Sequence, residues 1–238
     1  MLIFIKKWNA CLLFGVFLLG VLSLGLALGP EKVTKTAATP GFSKLIVLDA
    51  GHGNPDGGAV GSQGVLEQEL NLKIAQLVQQ YAEQGGIQVL VTRADSEGIY
   101  DPNSKTIKQK KQSDIHNREK LMNESGADLF VSIHMNKFTE PQYSGPQVFY
   151  SKNDEASQMA ARAVQQSMID ILKPVSEREI KQAGKEIYLL KKAKIPAILI
   201  ECGFLSNPQE EKLLLDEAYQ KQVAWAIYCG LVQYFALI

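Results

Sequence analysis

The sequence has no surplus of charge of either sign: 25 basic residues balance 25 acidic ones over 238 positions. It shows no basic face and no aromatic-basic stripe, so nucleic acid is excluded as a partner. The run Lys105–Lys111 is basic but short, and reads as a solvated helix face. Cysteine is scarce. Of three, Cys11 lies in an N-terminal apolar segment, while Cys202 and Cys229 lie in an apolar strand and an apolar helix, with no CxxC spacing. Free buried thiols are the ordinary state of such residues. A Cys202–Cys229 disulfide would need an oxidising compartment and sulfurs that the sequence cannot place together. Internal repeats are absent. Histidine is also rare, at three residues, so each position carries weight. Hydrophobic residues make up 46%, enough for a sizeable core, and global disorder is excluded.

One long apolar run is present, from Trp8 to Leu28 behind Lys6 and Lys7. About 20 apolar residues can cross a bilayer as a helix. A cleaved signal has a shorter core of about 7–15 residues, although Ala27-Leu28-Gly29 resembles a cleavage site. Residues 1–29 are therefore read as a signal or anchor segment, with an uncleaved membrane anchor preferred. The Lys pair stays cytoplasmic and the remainder is exported. Residues 30–43, polar with Pro30 and Pro40, form a linker. Residues 44–238 then form the folded domain. Without residues 1–40 the chain holds 21 basic and 24 acidic residues, a net charge of −3.

Within that domain, apolar runs at 44–49, 87–92, 129–134 and 197–201 read as buried strands, with a short strand at 147–150 and another at 187–190. Helical spacing covers 67–83, 104–125, 154–172 and 207–238, the last divided near Asp216. Strands alternate with helices. The expected fold is one three-layer α/β domain, a mostly parallel mixed sheet of about six strands flanked by helices.

Three of the strands end in polar residues, in VLDAGH, FVSIHMN and ILIECGF. In a parallel sheet those ends share one edge, where open α/β folds expose their chemistry. His52, His134 and Glu201 would meet there, and Glu67 opens the helix after a loop crowded with glycine. A lone histidine just past a strand is more often a cap or core residue. Two at matching edges, with a carboxylate, point to a metal centre. Two imidazoles and one carboxylate suit a single Zn²⁺ with a fourth position for water. Glu201, at the end of a buried strand, is then the candidate proton acceptor and donor. Asp56 and Asp49 are competing ligands, and Asp49 is expected to bond the amides of its own loop. His116, mid-helix in a polar segment, reads as surface. The loop glycines are expected to keep side chains clear of His52, so that a bulky substrate can approach.

The segments LDAGHGNPDGGAVG, GVLEQELNL, VTR, ADLFVSIHMN, KQAGKEIYLL and PAILIECGFLSNPQE, in this order, resemble the zinc-dependent N-acetylmuramoyl-L-alanine amidases of bacterial cell walls, the amidase-3 type. The resemblance spans about residues 44–236. It implies zinc ligands at His52, Glu67 and His134, and the catalytic base at Glu201. Arg93 and Arg118 match family arginines with a structural or substrate-orienting role, and Asn136 is a further candidate for substrate binding. Ala50 stands where many members have Pro, and Met135 where Ala is frequent. Only Lys137–Ser144 separate Asn136 from Gly145, too little for the inserted helix that covers the zinc in some members. The compact domain behind an apolar segment looks most like the sporulation-type branch. The resemblance implies hydrolysis of peptidoglycan at the muramoyl–L-alanine amide, in spore cortex formation, with an accessory protein as a further partner. The alternatives are a non-catalytic peptidoglycan-binding domain and a zinc peptidase acting within the stem peptide.

Overall fold

The computed structural model describes residues 44–238. The segments expected at 1–29 and 30–43 lie outside the described residues. Among the described residues, no helix is long and apolar enough to cross a membrane.

The elements run β1 (Leu45–Ala50), α1 (Glu67–Gln84), β2 (Gln88–Val91), α2 (Ile107–Glu124), β3 (Leu129–Asn136), β4 (Gln147–Tyr150), α3 (Glu155–Leu172), β5 (Lys181–Gln182), α4 (Tyr188–Lys192), β6 (Ala197–Phe204), α5 (Pro208–Leu215) and α6 (Glu217–Phe235). The six strands form one sheet in the order β2-β1-β3-β6-β4-β5. β2, β1, β3 and β6 run parallel to one another, and β4 runs antiparallel to β6. This is the three-layer, mostly parallel mixed sheet expected from the alternation of elements.

Side-chain alternation along the strands divides the core. Ile46, Leu48, Val131, Ile133, Ile198 and Ile200 face one way and pack on α1, α3 and α6. Val47, Phe130 and Leu199 face the other way, against Met122 of α2 and Leu189 and Leu190 of α4. Asp49, Ser132, His134 and Glu201 share the second face by the same alternation. The helices start where side-chain acceptors meet free amide groups: Thr106 and Gln109 form a capping box on α2, Asp154 caps α3, and Asn207 caps α5 ahead of Pro208.

Two expectations need correction. Ile187–Leu190 is not a strand. It opens the short helix α4, and the adjacent strand is the two-residue β5. A four-residue apolar run fits a helical turn as well as a strand, and here one turn suffices to bury Leu189 and Leu190. Asp49 does not bond its own loop. Fully buried, it accepts hydrogen bonds from Thr92 Oγ1 at 2.8 Å, Ser132 Oγ at 2.5 Å and Arg118 Nη1 at 2.5 Å. Cys202 and Cys229 are free thiols.

Arg118, 2% exposed, is the centre of this network. It donates to Asp114 from Nε at 2.7 Å, and to the carbonyl oxygens of Ala50 and His52 from its terminal nitrogens. Burial opposes ionisation of Asp49, but the Arg118 charge and the Ser132 hydroxyl outweigh it and hold the carboxyl below its ordinary range. Removing one partner of such a buried pair leaves a charge without compensation, at a cost of about 3–5 kcal/mol. Arg118→Ala is expected to lose stability of that order in urea unfolding at pH 7. A lowered folded-state pKa means that the Asp49 contribution is complete above the usual Asp value of about 3.9 and fades as the pH falls below it. The gap between wild type and Arg118→Ala should therefore narrow in acid.

Candidate metal centre

The chain leaves β1 at Ala50 and turns at once. Gly51 N–H donates to Ile133 O at 3.0 Å, which holds the loop against β3. His52 takes a left-handed backbone with φ 63°, uncommon for a residue with a side chain. Two buried arginines hold it there. Arg118 binds the His52 carbonyl, and Arg93 binds the carbonyls of Ala50, Gly51 and Gln68 at 2.8–3.1 Å. Of the two roles open to these arginines from sequence, their burial and bonding favour the structural one.

His52 and His134 stand edge to face with ring centroids 5.0 Å apart. Glu67, 4% exposed, reaches between them from the first turn of α1. Its Oε2 lies 3.2 Å from His52 Nε2, and its Oε1 lies 2.9 Å from His134 Nδ1. Ala59 N–H and Met135 N–H also donate to the same carboxylate. One ligand atom from each of His52, Glu67 and His134 lies within 4.8 Å of the others. Burial raises the pKa of Glu67, but hydrogen bonds from His134 and His52 overcome this and hold it far below the ordinary range. Burial likewise opposes the charged form of His52, yet bonds to Asp56 and Glu67 lift its pKa to about 9.

Asp56 is not the competing ligand that the sequence left open. Its Oδ2 accepts from His52 Nδ1 at 3.0 Å, while Lys111 pairs with Oδ1 at 2.8 Å. The Nδ1 proton of His52 is thereby held, and Nε2 is turned towards Glu67. A carboxylate behind a histidine in this way is the usual outer shell of a metal ligand. The sequence missed Asp56 in this role, and it missed Lys111, which lies in the run read as solvated. Nothing local links position 111 to position 56. His116 is exposed, as expected.

The glycines act more locally than expected. A Cβ on Gly58 would stand 2.6 Å from Glu67 Oε2 and 2.7 Å from His52 Cδ2, and one on Gly51 would collide with the His134 ring. They make room for the side chains of His52, Glu67 and His134 themselves. His52 and His134 remain 25% and 19% exposed. Both line an open pocket of about 250 Å³ with Lys111, Ile115 and Leu189.

Glu201 pairs in register with His134 across β3 and β6. Burial pushes its carboxyl up to about 7; the histidines oppose this, and Glu67 adds to it. Its Oε2 is closed off from solvent without a hydrogen-bond partner. A buried polar atom in that state is costly unless a ligand satisfies it. Asn136 ends β3 two residues past His134, where its carbonyl accepts from Leu205 N–H at 2.8 Å. The donor set of two imidazoles and a carboxylate, the outer-shell Asp56 and the orphaned Glu201 oxygen together fit a bound divalent metal.

Comparison with known proteins identifies a family. Residues 46–233 match the family described as N-acetylmuramoyl-L-alanine amidase. The germination-specific N-acetylmuramoyl-L-alanine amidase of Bacillus subtilis is 37% identical over 201 residues, 84% of either chain. Among solved structures, the CwlD amidase of Clostridioides difficile, in complex with the GerS lipoprotein, superposes with a TM-score of 0.78 at 41% identity. That match covers 82% of this chain and all of the other. An N-acetylmuramoyl-L-alanine amidase of Clostridium difficile 630 follows with a TM-score of 0.71 at 32% identity, over 82% of this chain and 97% of the other. With the match running from β1 to the last helix, the chain belongs to the N-acetylmuramoyl-L-alanine amidase family.

Proposed function

We propose that the chain is a zinc-dependent amidase that hydrolyses the bond between the lactyl carbonyl of N-acetylmuramic acid and L-alanine of the peptidoglycan stem peptide. The convergence of His52, Glu67 and His134 from three separate elements, with Glu201 beside them, carries this reading. One zinc ion held by those three residues would supply Lewis-acid polarisation of the carbonyl and a readily deprotonated water. Glu67 and His52 keep their ligand atoms aimed by the amides of residues 59 and 135 and by Asp56. Glu201 takes a proton from the attacking water on its carboxylate and returns it to the leaving L-alanine amine. A pKa near 7 suits a group that must do both at neutral pH. A non-catalytic wall-binding domain would have no use for an acid held in this state.

The relatives' names, germination-specific and CwlD amidase, support work on spore cortex outside the cytoplasm; the apolar run from Trp8 to Leu28 is the support for residues 1–29 as the export signal or membrane anchor ahead of a catalytic domain at 44–238. The GerS complex of one relative supports an accessory protein as a partner here. Asn136, two residues past His134 on β3, is the residue proposed as a substrate contact.

Four outcomes test the reading. Mass spectrometry of digested muropeptides should give free disaccharide and intact stem peptides; shortened stems would mean a peptidase instead. Glu201→Gln should keep its zinc, measured by atomic absorption, and lose about 10²–10⁴ in rate. Gly58→Ala should weaken zinc binding by about 10–100-fold, because its methyl displaces two of the proposed ligands. Zinc must also displace the Nε2 proton of His52, whose pKa Asp56 and Glu67 raise to about 9. Affinity measured by competition with a chelator should then rise by about tenfold per pH unit up to pH 9 and flatten above it.

A further inference from the structure

The order of residues across the sheet gives the site a direction. His134, Glu201 and Gln147 are register partners on β3, β6 and β4, so their side chains stand in a row on one face. If Glu201 protonates the leaving amine, as proposed above, the peptide half of the substrate departs on the Glu201 side of the metal ligands. The next residue in that direction is Gln147, and Gln147 holds an arginine.

Arg178 is half-buried in the loop between α3 and β5. Its Nε and Nη2 donate to Gln147 Oε1 at 3.2 and 3.0 Å, and Gln147 Nε2 donates to Glu179 O at 2.9 Å. Donor and acceptor both engage the amide, so its orientation is unambiguous. The guanidinium carbon also lies 5.2 Å from the Phe204 ring centroid, a cation–π contact. Gly145, with φ 89°, lets the loop approach, since a Cβ there would strike Ser176 O.

Despite this support, Arg178 has no ion pair with a carboxylate among the described residues. Glu210, the acid whose charge it influences, is already committed to Gly145 N–H at 2.7 Å and Phe204 N–H at 2.8 Å. A guanidinium anchored through one edge, with Nη1 unspent, is a ready receptor for a carboxylate. We propose that Arg178 binds the free α-carboxylate of the second residue of the stem peptide, with Gln147 as its positioning residue. The reach agrees. Adjacent strands put Gln147 about 5 Å from Glu201, and a hydrogen bond adds about 3 Å. Two extended peptide residues span about 7 Å.

The test uses two muramoyl tripeptides that differ only in whether the second residue's α-carboxyl is free or amidated. The zinc-loaded wild type should prefer the free acid by about 10–100-fold in kcat/KM, the scale of a charge-assisted hydrogen bond. Arg178→Ala should lose that preference through KM on the free acid, with kcat and the amidated substrate little changed. Arg178→Lys should recover part of it, since the charge remains without the fork. Equal loss on both substrates, or no preference in the wild type, would overturn the assignment. The same pair of ligands, titrated by calorimetry into zinc-loaded Glu201→Gln protein, reads the preference without turnover. Failure of the amidase reading and failure of the Arg178 assignment are therefore told apart.

Discussion

The structure depends most on one buried ion pair, Arg118 with Asp49. Asp49 is the penultimate residue of β1, Thr92 follows β2, Ser132 lies on β3 and Arg118 belongs to α2; the last three all donate to the Asp49 carboxylate. Arg118 passes the constraint to the loop by binding the carbonyls of Ala50 and His52. The left-handed backbone of His52 persists because this network over-determines it. A buried pair of this kind adds little net stability compared with apolar packing. What it contributes here is position: it sets where the first histidine stands relative to β3.

From that fixed point the centre is assembled by groups that orient one another. Asp56 takes one ring nitrogen of His52 and leaves the other for Glu67. Two backbone amides grip Glu67, and Gly58 and Gly51 remove the methyl groups that would block the three side chains. Hydrogen bonds from the two imidazoles hold the Glu67 carboxyl acidic against its burial, and bonds to Asp56 and Glu67 hold His52 basic. Glu201 escapes this grip. It shares the face and the register but has no protein partner for one oxygen, so burial governs it and its pKa moves the opposite way. Carboxylates with environments that push their pKa values apart are the pattern from which acid–base roles are read.

The mixed character of the sheet also has a consequence. β4 runs antiparallel beside β6, so its first residue, Gln147, and not its last, lies level with Glu201. The strand therefore enters at the active edge and brings Arg178 with it through a side-chain amide. One side of the site is built by parallel strand ends and carries the proposed metal ligands. Beside it the antiparallel strand holds Arg178, a cation without an acidic partner among the described residues.

Much of this was legible in the chain. The apolar runs ending in His52, His134 and Glu201 announced a parallel sheet with its chemistry on one edge, because strand burial and strand polarity are written in local pattern. The glycine-rich loop and Glu67 at a helix start were equally local. The short stretch 187–190 misled because four apolar residues suit a strand and a helical turn alike, and only its packing on α2 and the sheet chose the turn. Asp49, Asp56, Lys111 and Arg178 required the tertiary structure. Their partners are Arg118, His52, Asp56 and Gln147. Except for Asp56 and His52, four residues apart, these pairs are separated by tens of residues and joined by charge and hydrogen bonding that no periodicity encodes. Sequence alone determined which residues could do the chemistry. The folded sheet decided which of them orient the others, because side-chain electrostatics depend on distances that only the closed structure sets.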